Sequence, residues 1–337
     1  MNKTENFLSA IDVITLIFCS WIVAYMSMGL QRAPEAIKHI PVYLGVAIGV
    51  LILAWLERRL KEFLPLSGQE FLPLAGGENL PPGRLKKPVG DRNDQSRQRR
   101  SFQPGLLRAL AFLRGIYPVL LFGYFYTSGH VFNRIIFRDW LDPWFMGIDK
   151  SIFGYYPSLE WGQVYTHWLI QEIFHFAYFC YYPMILGLPV YLYFKQPKAF
   201  KELIFNLSFV FFLCYTIYSV LPVIGGRFIP EAMELTKSYR AGLFTHIMVF
   251  IYRTSTHLGG AFPSSHIAVT LVLTVAALRF VRRMGYVFCV IAFFLSLATV
   301  FCHYHWFIDA VAGIATGIAG YYLANYVRSR LLEAGFN

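Results

Sequence analysis

The chain has 337 residues, of which 56% are hydrophobic, 18% aromatic and 15% charged, with a formal net charge of +11. A soluble globular chain carries about 25% charged residues, so this composition calls for lipid around it rather than water. The positive balance does not point to nucleic acid: ten Lys/Arg against five Asp/Glu fall in residues 58–100, the rest punctuate apolar runs, and no nucleic-acid motif accompanies them.

Runs long enough to cross about 30 Å of hydrocarbon predict eight spans, near 11–30, 40–56, 106–128, 164–194, 203–224, 264–281, 285–303 and 306–327. The first has no small-residue cleavage signal after it and reads as a retained helix. Residues 1–57 thus form a two-helix N-terminal unit. Residues 58–105, with Pro81-Pro82, Lys86-Lys87, Arg97, Arg99 and Arg100, read as a basic, partly disordered cytoplasmic linker. Residues 106–330 form a six-helix core. Segment 135–160 is too polar to span and reads as a partly interfacial loop, and 241–253 as a helix lying on the surface. The predicted fold is an all-α polytopic transmembrane bundle. The five cysteines, Cys19, Cys180, Cys214, Cys289 and Cys302, lie in or at the ends of apolar segments without CxxC spacing, and read as small packing residues rather than disulfide or zinc partners.

Eight spans put both termini on one side. Loops on that side hold nineteen Lys/Arg against nine on the other, so the positive-inside rule makes it cytoplasmic. All nine histidines fall on, or in the outer half facing, the opposite side. Acid–base chemistry is therefore expected on the non-cytoplasmic face.

Three stretches converge on that face. Gly225-Gly226-Arg227-Phe228 follows the span ending near Pro222. Ala261-Phe262-Pro263-Ser264-Ser265-His266 opens the sixth span, and His303-Tyr304-His305-Trp306-Phe307-Ile308-Asp309 opens the eighth. Pro263 and Ser264 are helix-start signals, so backbone N–H groups and a positive dipole end point outward beside His266. His305 and Asp309 are four apart and share a helix face. A carboxylate on one imidazole nitrogen sets the tautomer and leaves the other nitrogen to attack. Arg227 offers a planar fork of donors to phosphate oxygens. Taken singly, the serines are an ordinary N-cap and Arg227 a snorkelling anchor. An acid within a span is costly and usually functional, and the three stretches together read as a catalytic site for a phosphate ester.

At these residues the chain resembles the type 2 phosphatidic acid phosphatase (PAP2) superfamily, over about 106–327. The superfamily includes lipid phosphatases, sphingolipid headgroup transferases and soluble vanadium haloperoxidases. Pro263-Ser264-Ser265-His266 is similar to its PSGH motif. His305 with Asp309, followed by Ala312-Gly313, resembles the end of its third motif, and Arg227 matches the arginine of its first. The resemblance implies His305 as nucleophile forming a phosphohistidine, Asp309 as its orienter and His266 as acid to the leaving group. Arg227, Ser264 and the Ser265 backbone would hold the phosphoryl oxygens, without a metal or organic cofactor. Three positions depart from the pattern. Val220 stands where the first motif has a lysine, Thr299 where the third has an arginine, and Ser265 where PSGH has glycine. His303, Lys237, Arg240 and Arg253 are candidate replacements for the two missing cations.

Asp142, Asp149, Phe153-Gly154 and Pro157, with the following helix bearing Glu172, His175, Tyr178, Tyr181 and Tyr182, resemble the inositol phosphorylceramide synthase-like branch. Glu172 and His175 share a helix face. They read equally as a buried pair holding two helices together and as a polar wall for a headgroup. The leading expectation is a membrane enzyme that transfers a phospholipid headgroup to a lipid alcohol. A lipid phosphate phosphatase is the second reading, and a non-catalytic transporter or scaffold the third.

Overall fold

The computed structural model describes residues 6–63, 94–164, 167–237, 242–254 and 257–336. Residues 64–93 of the predicted linker, and Arg240, lie outside the described residues. The described chain is all-helical. In order come α1 (Ala10–Met28), α2 (Ile40–Phe63), α3 (Asp94–Ser128), α4 (Asp142–Phe153), α5 (Pro157–Val164), α6 (Trp168–Phe179) and α7 (Tyr181–Lys195). There follow α8 (Pro197–Val220), α9 (Pro230–Lys237), α10 (Leu243–Thr254), α11 (Ser265–Phe280), α12 (Arg282–Phe301) and α13 (Phe307–Glu333).

Seven helical stretches are long and apolar enough to cross a membrane: α1, α2, the C-terminal part of α3, α6 with α7, α8, α12 and α13. The sixth predicted span is α11, shorter at 16 residues, or about 24 Å. It packs against α7, α8, α12 and α13, and most of its side chains are buried. A helix wrapped by protein has no lipid thickness to match. Large apolar side chains point outward elsewhere, such as Val290 and Phe293 on α12 and Tyr322 on α13, exposed by 58%, 62% and 71%. Patches of this kind would associate in water and are at home in lipid.

Two predicted boundaries move. The fourth span is broken at Cys180 into α6 and α7. Pro183 lacks the N–H that would bond back to Phe179, so one straight helix cannot run through it. The third span begins in a longer helix: α3 starts at Asp94, inside the predicted linker, although its apolar part starts at Ala109. Residues 58–63 likewise belong to α2.

The N-terminal hairpin packs onto the core, α1 against α2, α8 and α13. Phe18 stacks on Phe212 of α8 with ring centroids 4.4 Å apart. Arg114 of α3 binds Asp12 of α1 at 2.5 Å and also Glu57 of α2. Tyr117 adds a hydrogen bond to Asp12 at 3.2 Å. On α13, Gly313 and Gly317 face α11 so closely that a Cβ would meet Ser264 O at 2.7 Å and Ala268 Cα at 2.9 Å. This small-xxx-small spacing lets the two helix backbones approach and brings the α11 N-terminus against Asp309. The short helices α4, α5, α9 and α10 gather around the ends of α6, α12 and α13.

Candidate active site

The last turn of α12 ends at Phe301, and after five intervening residues the chain re-enters as α13 at Phe307. His303 takes a φ of 62°, a conformation uncommon for a side-chain-bearing residue. Its ring Nδ1 bonds the Ser158 carbonyl, and the ring is fully buried. His305 then donates its N–H to the Thr299 carbonyl at 2.9 Å, which returns the loop against α12.

Asp309 lies in the first turn of α13 and is fully buried. Its Oδ2 accepts the Trp306 N–H at 2.9 Å, the reach-back of an acid in the third helical position to the N-cap. The same oxygen sits 3.5 Å from His305 Nδ1, at the long edge of hydrogen-bond reach. The two side chains thus face one another across one helical turn, close but without a hydrogen bond to His305 Nδ1 among the described residues. Across from it, His266 in the first turn of α11 stands edge-on, with ring centroids 6.4 Å apart.

Helix α11 starts after Ser264, as the Pro-Ser signal predicts. Its first N–H groups are partly in use. Ser264 N–H bonds the Asp309 carbonyl at 3.0 Å, and Ser265 N–H bonds Tyr218 Oη at 3.1 Å. The Ser265 backbone is therefore not an open phosphoryl donor, a correction to the reading of the PSGH resemblance. Ser264 Oγ is buried and has no hydrogen-bond partner among the described residues, so the hydroxyl is the better contact of the pair.

Arg227 follows Gly225 and Gly226 in a tight loop. Gly225 has a φ of 81°, and a Cβ there would meet the Tyr304 carbonyl oxygen at 2.5 Å; one on Gly226 would meet Ser158 Oγ at 2.5 Å. Only glycine lets this loop lie flat on the 303–304 backbone. The Arg227 guanidinium lies over the rings of Phe228 and Tyr252, 4.4 and 4.1 Å from their centroids, and bonds the Tyr252 carbonyl. Its charge is within electrostatic range of His266 and His257. Tyrosines line the space between. Tyr178 and Tyr181 flank His266 with centroids 4.9 and 4.5 Å away, and Tyr252 and Tyr304 pack at 4.4 Å.

Other predicted site residues serve the frame. Glu172 accepts N–H groups from Phe244 and Thr245 at 2.8 and 2.9 Å and the Thr245 hydroxyl at 2.5 Å. It caps α10 from a neighbouring helix, which favours the helix-joining role over the headgroup wall. His175 bonds the Gln171 carbonyl at 2.7 Å and lies 3.9 Å from Cys302 Sγ. His303 is no replacement cation, because burial pushes its pKa down. Nor is the nearby His257, which burial and then His130 press down to about 3. Arg253 is exposed at the end of α10, and the side chain of Lys237 is outside the described residues. Thr299 is fully buried. Neither cation-deficient position is refilled from the described residues named as candidates.

Two acids that the sequence left without a role hold the site together. Asp142 accepts the N–H groups of Ile224 and Gly225, both at 2.9 Å, and the Trp306 indole N–H at 2.8 Å. It ties the arginine loop to the histidine loop. Asp149 accepts Phe307 and Ile308 N–H at 2.7 and 3.0 Å, capping α13 from outside. Burial raises the Asp149 carboxyl while those two N–H groups pull it back. The available signal was two acids seven apart, hence on one face, in a segment too polar to span.

Searches of curated proteins and of solved structures return no match. Against protein families, residues 144–323, more than half of the chain, match the PAP2 superfamily, and the two N-terminal spans lie outside that match. The chain therefore belongs to the PAP2 superfamily, a membership that supports lipid phosphoester chemistry in general.

Proposed function

We propose that the protein is a headgroup phosphotransferase that moves a phosphoryl group bearing a polar alcohol from a phospholipid to a lipid alcohol. The observation that carries this is the His305–His266 pair, 6.4 Å apart by ring centroids, with Asp309 behind His305 and Arg227 alongside. His305 Nε2 attacks phosphorus, the bond to the lipid alkoxide breaks, and His266 gives the departing oxygen its proton. The acceptor hydroxyl then attacks the phosphohistidine and returns a proton to His266, regenerating both histidines. Arg227 and the Ser264 hydroxyl hold the non-bridging oxygens through both steps.

The acceptor and donor classes follow from charge. A phosphomonoester near neutral pH approaches a charge of −2 with three terminal oxygens to be matched. A diester carries one negative charge and two non-bridging oxygens. With Val220 and Thr299 at the cation positions, and His257 and His303 held neutral, Arg227 suits the smaller demand. The resemblance of 142–182 to the inositol phosphorylceramide synthase-like branch leans the same way. The second reading, hydrolysis of a lipid phosphomonoester, shares every step except the acceptor.

The excess of Lys/Arg on the other side supports an active face outside the cytoplasm, with both termini inside. The domain division that follows is a two-helix unit at 1–57 and a catalytic core at 106–330. The assay that tests the reaction offers purified protein phosphatidic acid and, separately, a phosphatidylinositol-type diester with ceramide or diacylglycerol. Acceptor-dependent product from the diester is expected; fast phosphate release from the monoester alone would overturn the transferase reading. A cysteine introduced near Lys237 should react with an impermeant thiol reagent from outside and one near Arg92 should not. The reverse pattern would invert the orientation.

A further inference from the structure

Six of the nine histidines bond a neighbour through a ring nitrogen: His39, His130, His167, His175, His246 and His303. The other three rings carry no hydrogen bond among the described residues. Two are His305 and His266, the pair that the proposed reaction uses. The third is His257. It is 7% exposed, and neither ring nitrogen has a hydrogen-bond partner among the described residues. The Thr127 carbonyl is close to the ring, but His130 Nδ1 holds that oxygen at 2.5 Å. A buried polar group left unmatched costs stability and calls for an explanation.

The loop that carries His257 is clamped in place. Asn133, fully buried, donates its Nδ2–H to the Leu258 carbonyl at 2.8 Å. Gly259 has a φ of 91°, and a Cβ there would meet Asn133 Nδ2 at 1.9 Å; one on Gly260 would meet His257 Nε2 at 2.7 Å. Tyr126 covers the ring with centroids 4.0 Å apart. The clamp sets the ring beside the site: Arg227 is within electrostatic range of both His257 and Tyr126. The same loop then runs through Pro263 into the start of α11. The two non-bridging oxygens of a phosphoester accept more hydrogen bonds than the Arg227 fork and one Ser264 hydroxyl supply. Burial and then His130 hold the His257 ring uncharged, so it offers a donor without a second positive charge. We propose that His257 is a further substrate contact, its ring N–H donating to a non-bridging oxygen of the lipid phosphoester that Arg227 holds. This rests on the phosphoester reading of the site and holds for either acceptor.

Two variants of the purified full-length protein test it, His257→Phe and His257→Asn. Each is measured for melting temperature in detergent and for inhibition by vanadate, an analogue of the five-coordinate phosphoryl group. His257→Phe keeps a ring on Tyr126 and drops the unmatched nitrogens, so it should melt at or above the wild-type temperature. Its vanadate affinity should fall about ten- to a hundredfold, the loss of one hydrogen bond to a charged group. His257→Asn keeps a side-chain N–H and loses the ring, so it should melt lower yet bind vanadate more tightly than His257→Phe. A ring that only packs gives the opposite order of affinities, and an equal or opposite order overturns the proposal. Unchanged vanadate affinity in His257→Phe overturns it as well. So does a His257→Phe that melts below wild type, since the ring nitrogens would then have partners within the protein. Wild-type protein insensitive to vanadate, and inactive on both phosphatidic acid and the diester, would instead remove the phosphoester reading itself and this contact with it.

Discussion

Asp12 and Asp142 are both almost fully buried acids, 1% and 4% exposed, and the two ends of the bundle treat them in opposite ways. Asp12 is matched by a cation: Arg114 bridges it to Glu57 and so joins three helices at once. Asp142 is matched by dipoles, two backbone N–H groups and an indole N–H. Asp149 and Glu172 repeat that pattern, each gripping the start of a helix. An ion pair locks rigid helices together, and breaking it leaves a buried charge. A carboxylate on N–H groups shapes loops and helix starts. At the histidine end, then, these three acids position the backbone through N–H groups.

The comparison breaks first at the histidines. His305→Ala should abolish turnover, because the proposed covalent intermediate forms on its ring; wild-type rates from purified, folded variant would remove the assignment. His266→Ala should slow turnover by roughly 10²–10⁴-fold, the usual effect of a lost general acid.

Asp142→Ala should come next. It strands three donors, each costing roughly 1–3 kcal/mol when buried and unmatched, and frees the arginine loop from the histidine loop. A shift of the order of 1 Å in such a constellation lowers rates by about 10²-fold. The expected result is a large fall in turnover from protein that still folds in detergent. Arg114→Ala should show the reverse balance. Losing the partner of buried Asp12 and half-buried Glu57 destabilises by roughly 3–5 kcal/mol, read as a lower melting temperature, with turnover per folded molecule unchanged. If Arg114→Ala instead lowers turnover as much as Asp142→Ala does, the two ends are not separable.

What the sequence made legible was local. The spacing of His305 and Asp309 announced a shared face, and the structure puts them 3.5 Å apart. Pro263-Ser264 announced a helix start, and α11 begins there. The spans were legible because every backbone group in lipid must find its partner within its own helix. The frame was not. Asp142 reaches Trp306 across 164 positions and Glu172 reaches Thr245 across 73; periodicity reports neighbours a turn or two away and is silent about such pairs. Nor could a sequence show that Tyr218 takes the Ser265 N–H that the PSGH resemblance assigned to phosphate.

The smallest expected effect concerns the absent cations. Sequence alone recommends restoring both, Val220→Lys with Thr299→Arg, to turn a diester site toward monoesters. The structure separates the two. Thr299 is fully buried, its hydroxyl bonds the Ser296 carbonyl at 2.7 Å, and its own carbonyl holds the His305 N–H. An arginine there would bury a charge with no matched partner and disturb the nucleophile's own loop, so loss of activity would say nothing about charge. Val220 ends α8 and is half-buried, two residues beyond the Tyr218 that bonds Pro263 and Ser265. A lysine at that position would sit at the histidine end of α8, where its flexible stem can carry the ammonium away from the core. Val220→Lys should therefore raise phosphate release from phosphatidic acid relative to transfer from a diester by a few-fold, about what one added surface-adjacent charge contributes. Val220→Met controls for size. An unchanged ratio in Val220→Lys, with normal melting, would show that the number of cations does not set the choice between monoester and diester.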